Sequence, residues 1–415
     1  MSNKIIQYYQ KTHFFLICCL VLFPLTPRGV HSSIIITIGA IAIIYFAIRG
    51  RKDWTGKKTK HLFALGSIFV IYCFSLLNMG DVDIGMKFII RTAPTFLIPF
   101  AFLNQKNAEW NIKQLQIILF IYFLAISCVL FFLHYSFFEE IHYLQITSWE
   151  KRCRIEESLK MHGTYLSMWI GMGVLSVIWL LFQNKIYKKI LFVFGVLIIG
   201  YFLFWQYFLG ARMPLFSTLV ASSFLLLTSL RISLRTIVGL YLLSFTIGLI
   251  VFWNPIQHKI QELGSHKKAI PEGKYENTNP NISNENIRSA IYYCALINIK
   301  EKPLLGYGVG NTDRVMQYCY NQKFDHTDLF TTFRFNAHSQ YFQIVLAAGI
   351  LGLLIFLTSI ILWIRWSSGF LYIAFLTLIL LCFTFENILS RHDGIVFFSV
   401  FNTILLNVKT RLDRI

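Results

Sequence analysis

Apolar runs of eighteen or more residues recur from one end of the chain to the other, and nothing else limits the possible folds as severely. Such a run is long enough to cross a hydrocarbon core of about 30 Å as a helix. In hydrocarbon every backbone N–H and C=O must be satisfied within the protein, which leaves helices or closed barrels. Barrel strands would appear as short alternating segments, and these runs are continuous. Of the 415 residues 56% are hydrophobic and only 14% are charged, whereas soluble domains carry roughly 25% charged residues. The sequence therefore predicts an all-α polytopic membrane protein. About twelve spans are expected, at 12–28, 32–48, 62–78, 86–103, 115–134, 163–182, 189–208, 213–229, 235–253, 339–363, 370–386 and 392–408. Lys4 and Lys11 precede the first run and no small-residue cleavage site follows it, so it is read as a retained span.

Lys and Arg accumulate in cytoplasmic loops. The loop "RGRKDWTGKKTK" carries Arg51, Lys52, Lys57, Lys58 and Lys60; later even-numbered loops and the C-terminal tail are also basic, while "NMGDVDIG" has neither Lys nor Arg. Both termini are accordingly expected in the cytoplasm. Much of the formal charge of +18 then reflects topology, and no nucleic-acid partner is expected. This arrangement divides the chain into 1–253, with nine spans; 254–337, a large loop on the outer side; and 338–415, with three spans and a cytoplasmic tail.

The large loop is the one hydrophilic region big enough to build a site. Its first part, "SHKKAIPEGKYENTNPNIS", is polar and rich in turn formers. From Asn284 to Glu301 the pattern becomes that of an amphipathic helix with an apolar stripe at Ile287, Ile291, Cys294 and Leu296–Ile297, ended by Pro303. Arg288 lies near its N-terminus, where anions are favoured. "PLLGYGVGN" follows, with Gly306, Gly308 and Gly310. Such a stretch is either a turn beside the membrane or a set of amides that cradles phosphate. Cys153, Cys294 and Cys319 fall on the outer side, where disulfides are allowed, and a Cys294–Cys319 bridge is one possibility.

Three side chains carry the chemistry: Arg212 in the tight turn "FLGARMP", Arg288, and His338 at the mouth of a late apolar run. Each alone has an ordinary explanation, as a snorkelling arginine, a solvated helix face and a helix-start histidine. All three nevertheless fall on one side of the membrane at span ends. Guanidinium groups bind phosphate in a bidentate, permanently charged way, and a histidine can take a proton near neutral pH. The set suits transfer of a group from a phosphorylated lipid carrier to a hydroxyl. Lys87 and Arg91, four residues apart in the outer part of a span, and Arg391 in the turn "ENILSRHDG" are further candidates for a phosphate site. Asp81–Asp83 reads as a charged turn, and Asp325, His326 and Asp328 lack metal-ligand spacing. No metal and no cofactor are expected, and no P-loop is present.

The stretch "FNAHSQYFQIVLAAGILGLL" resembles the signature of bacterial O-antigen ligases: a histidine, then Asn, Ser or Gln, nine residues, Gly, two residues, Gly and an apolar residue. His338, Ser339, Gly349, Gly352 and Leu353 match it. Arg212 and Arg288 resemble the family's essential arginines, and Pro303 to Gly310 its glycine-rich stretch. The resemblance covers essentially the whole chain and looks close to ligases of enteric bacteria. It implies a GT-C-like membrane glycosyltransferase of the inner membrane, with its active site facing the periplasm and no need for metal or nucleotide. The implied donor is undecaprenyl-diphosphate-linked O-antigen, and the implied acceptor is a sugar hydroxyl of the lipid A–core oligosaccharide. Inversion is implied, with His338 as base and the two arginines holding the diphosphate. Gly349 and Gly352 would let a neighbouring helix approach. An O-antigen polymerase, which uses the same donor, and a lipid-linked-glycan transporter are the alternatives. The gapped signature favours the first reading, and the gathering of candidates at one face disfavours the last.

Overall fold

The computed structural model describes residues 2–50, 54–78, 81–105, 110–137, 148–183, 189–233, scattered positions between 235 and 243, 284–324, 327–367 and 369–408. Apart from one isolated bridge between Trp110 and Val408, the regular structure among these residues is helical. In chain order the helices are α1 (Ser2–Leu20), α2 (Arg28–Tyr45), α3 (Gly56–Leu65), α4 (Ser67–Ser75), α5 (Val82–Thr92), α6 (Pro94–Leu103), α7 (Ile112–Ser136), α8 (Ser148–Leu159) and α9 (Gly163–Gln183). They continue with α10 (Lys189–Phe208), α11 (Arg212–Ser229), α12 (Asn284–Glu301), α13 (Thr312–Lys323), α14 (Asp328–Phe333), α15 (Gln340–Trp366), α16 (Phe370–Phe383) and α17 (His392–Leu406).

Among the described residues seven helices are long and apolar enough to cross a membrane, and an eighth results if α3 and α4, bent by 71°, form one span. The chain is thus an all-α, multi-pass membrane protein. The expected spans at 370–386 and 392–408 fall on the shorter apolar helices α16 and α17. The expected span 235–253 lies largely outside the described residues, as does the polar first part of the large loop. Asp325 and His326 also lie outside them. Asp81 serves as a cap, its side chain accepting from the Ile84 amide at 3.1 Å.

α9 is the axis of the bundle. Every residue from Tyr165 to Trp179 is buried, and α7, α10, α11 and α16 pack around it. On α10, by contrast, Ile190, Leu191, Phe192, Val193 and Phe194 are consecutive exposed apolar residues, a surface suited to lipid rather than water.

The described part of the large loop forms a cap with its own small core. Ala290, Ile291, Ala295, Met316, Tyr320 and Phe330 pack around the Cys294–Cys319 disulfide. α12 has the bounds the sequence predicts, but its buried face is shifted: Ala290, Ala295 and Asn298 turn inward, while Leu296 is 47% exposed. α13 and α14 were not evident as periodic patterns, because their few apolar residues serve this small core alone.

The cap is locked into the membrane bundle by a break in α15. Gly349 has φ 66° and ψ −168°, which interrupts the helix. The chain from Pro303 to Gly308 lies in the break. Tyr307 and Gly308 amides donate to the carbonyls of Leu346 (2.7 Å) and Ala347 (2.9 Å), and the Ile350 amide donates to Pro303 O (2.8 Å). A Cβ on Gly349 would strike the Leu304 backbone, and one on Gly306 would strike that of α15. Gly352 does sit close to a neighbouring helix, at Ile71 of α4. Gly349 instead admits a loop, which corrects the expectation that both glycines serve helix–helix contact.

Candidate functional site

His338 sits at the start of α15 with its backbone in the left-handed region, φ 43°, a strained position for a non-glycine residue. The surroundings fix it from several directions. Its amide donates to Asn336 Oδ1 at 2.9 Å. Ser339 caps α15 and donates to Phe383 O at 3.4 Å. Gln340 accepts from the Leu389 amide at 2.7 Å and donates to Tyr72 Oη at 3.3 Å. The residues around the histidine thus bolt the mouth of α15 to the turn between α16 and α17.

That turn supplies a partner for the ring. His338 Nδ1 stands 3.6 Å from Glu386 Oε2, an ion-pair separation rather than a hydrogen bond. Glu386 is buried. Burial alone would raise its pKa, but His338, then His162 and Arg391, hold it down at about 2, well below its ordinary 4.5. The carboxylate is therefore ionised behind the imidazole. His162, in the turn before α9, is itself held low by burial, with Glu156 and Glu386 opposing.

Arg288 reaches the same turn from the cap. Its Nη1 donates to Phe385 O at 3.2 Å and its guanidinium lies 5.9 Å from the Phe385 ring centre. One turn along α12, Tyr292 Oη donates to His338 O at 3.5 Å. Arg288, Phe385, Glu386 and His338 are thus linked by contacts.

Arg212 opens α11 and is exposed. α11 runs antiparallel to α16: Ser217 meets Cys382 at 3.6 Å and Phe224 meets Phe370 at 6.2 Å. Arg212 therefore belongs to the end of the bundle that carries Glu386. Arg91 Nη1 donates to Ser390 O at 2.8 Å, and Arg391 lies 5.9 Å from the Tyr165 ring. Both line a cavity of about 570 Å³; Lys87 is exposed and is not part of that lining. In the glycine-rich stretch three successive amides are already engaged within the protein. The Tyr307 and Gly308 amides are taken by α15, and the Val309 amide donates to Ser75 Oγ at 3.2 Å. Among the described residues no group of three or more His, Cys, Asp or Glu side chains is gathered to hold a metal ion.

Sequence reasoning missed Glu386, Tyr292 and His162. Glu386 had one signal, an acid at the end of an apolar run, but the run read as a span through 386. The helix stops at Phe383, and the carboxylate lies in the turn beyond it.

Residues 201–357 match a family model described as O-Antigen ligase. The matched segment holds Arg212, Arg288 and His338 together with the glycine-rich stretch and the Gly349 break; Arg91, Glu386 and Arg391 lie outside it. No curated protein matches the chain. The family indicates a ligase- or polymerase-type function among glycosyltransferase-like enzymes of lipopolysaccharide biosynthesis, acting in general on lipid-linked polysaccharide. Over this segment, which is less than half of the multi-pass helical chain, the protein is similar to the O-antigen ligase family.

Proposed function

We propose that the protein is an O-antigen ligase that transfers polysaccharide from undecaprenyl diphosphate to a sugar hydroxyl of lipid A–core. The reaction takes place on the periplasmic side of the inner membrane, in a GT-C-like fold with both termini cytoplasmic, and uses neither metal nor nucleotide. One observation carries this reading: the Glu386 carboxylate stands 3.6 Å behind His338 Nδ1, with Arg288 fixed on the adjacent Phe385 carbonyl.

A carboxylate beside Nδ1 favours the tautomer with its proton there and leaves the Nε2 lone pair to act as base. Nε2 takes the proton of the acceptor hydroxyl as its oxygen attacks the anomeric carbon. The bond from that carbon to the diphosphate oxygen breaks, and its electron pair leaves with the diphosphate. Arg288 and Arg212 neutralise the charge that develops there. A single displacement inverts the anomeric centre.

The test is transfer by purified protein in lipid, given undecaprenyl-diphosphate-linked glycan and lipid A–core with EDTA present and no nucleotide. Wild type should place glycan on lipid A–core. His338→Ala and Arg288→Ala should each reduce the rate by about 10²-fold or more. Elongation of the lipid-linked glycan instead would identify a polymerase, and folded wild type that transfers nothing would overturn the enzyme reading.

A further inference from the structure

The cavity lined by Arg91 and Arg391 includes neither His338 nor Arg288 nor Arg212 in its wall. Four cationic side chains line it, Arg28, Arg91, Lys160 and Arg391, against two carboxylates, Glu156 and Asp393. Both carboxylates already have cationic partners. Asp393 is gripped by Arg28 at 2.9 and 2.7 Å. Glu156 accepts from Arg152 at 2.6 Å and from the Gly163 amide at 2.7 Å. The wall is thus left with a surplus of positive charge.

The cavity is also held in shape. Arg28 fastens the Lys160 carbonyl with its Nη2 at 2.8 Å, across a Lys160 backbone at φ 49°. Arg91 is pinned to Ser390 O. α2 begins at Arg28 and α17 at His392, and neither has a side-chain cap on its first turn, so their amides reinforce the positive potential. With Arg28 given to Asp393, the wall keeps two arginines and a lysine, Arg91, Arg391 and Lys160, whose charge suits phosphoryl oxygens. A cavity of about 570 Å³ is larger than one phosphate requires and has room for the sugar that bears it. Its link to the reaction centre is the turn between α16 and α17: Arg391, in the wall, follows Glu386 in that turn, and the Leu389 amide between them is held by Gln340 of α15 at 2.7 Å.

We propose that this cavity binds a phosphorylated saccharide of the acceptor glycolipid and so presents the acceptor hydroxyl to His338. The proposal rests on the ligase reading above, in which Arg288 and Arg212 serve the donor diphosphate and a second cationic site is left for the other glycolipid.

The test measures binding and does not depend on transfer. Full-length protein in nanodiscs is titrated with lipid A–core, either intact or stripped of its sugar phosphates, and separately with the undecaprenyl-diphosphate-linked donor. Wild type should bind the intact acceptor about tenfold more tightly than the stripped one. Lys160→Gln combined with Arg391→Gln should abolish that preference and spare donor binding. Lys160→Arg combined with Arg391→Lys should keep it, which separates lost charge from lost fold. Equal binding of both acceptor forms by wild type would overturn the proposal. So would a double Gln variant in which donor binding, rather than acceptor binding, is weakened. A wild type that prefers the phosphorylated acceptor yet transfers no glycan would uphold the subsite and remove only the ligase reading.

Discussion

At the scale of residues, His338 is held by contacts that its own sequence neighbourhood only half reveals. The signature shows that a polar residue follows the histidine, and the reason is visible in Ser339 and Gln340, which tie α15 to the turn beyond α16. Glu386 offered only an acid at the end of an apolar run, because a tertiary contact between residues 48 positions apart leaves no local pattern that pairs it with His338. Glu386→Gln should lower the transfer rate by about hundredfold, with much of the loss in kcat, because the imidazole loses the group that sets its tautomer. The same residue gives a pH prediction. Its pKa is depressed in the folded protein, from 4.5 to about 2, so its contribution to stability is fully present above 4.5 and is lost as pH falls towards 2. Thermal unfolding measured across that window should show wild type losing stability more steeply than Glu386→Gln; parallel curves would count against the depressed carboxylate.

At the scale of elements, periodicity located α12 and α15 well and failed where the chain departs from regular helix. An apolar run does not reveal that Gly349 breaks it, since the break depends on a partner loop far away in sequence. Gly349→Ala would combine an unfavourable φ with a collision against the Leu304 backbone. It should destabilise the protein by more than about 2 kcal/mol, visible as a lower melting temperature and poor recovery from size-exclusion chromatography. Gly352→Ala meets side-chain atoms only and should be the milder of the two. The cap has a second clasp in Cys294–Cys319, which closes 25 residues of chain. Removing it with Cys294→Ser and Cys319→Ser should cost about 3 kcal/mol in the cap, and limited proteolysis should then cut between 284 and 337 sooner than in wild type.

At the scale of the whole molecule, hydropathy was enough for a polytopic helical bundle but not for its irregularities. The bend between α3 and α4, which pack against α6 and α15, and the shortness of α16 and α17 are tertiary features that a window average does not register. Sidedness is open to direct measurement. Lys160→Cys and Arg365→Cys, both at exposed positions and near opposite ends of the bundle, should react with an impermeant thiol reagent from opposite sides of the membrane, Lys160→Cys from the periplasm; labelling of both from one side would overturn the proposed orientation. The break in α15 also bears on biogenesis. A broken helix leaves backbone groups that hydrocarbon does not satisfy, and here Pro303, Tyr307 and Gly308 satisfy them. Those residues precede α15 in the chain and belong to the cap, so this helix cannot be completed inside the membrane alone. In the proposed orientation the cap has first to be exported and then to return and dock. A chain arrested before the cap has docked should hold α15 as a protease-sensitive insertion intermediate, and completion of that helix would be a checkpoint ensuring that no copy presents a finished His338 site with its cap undocked.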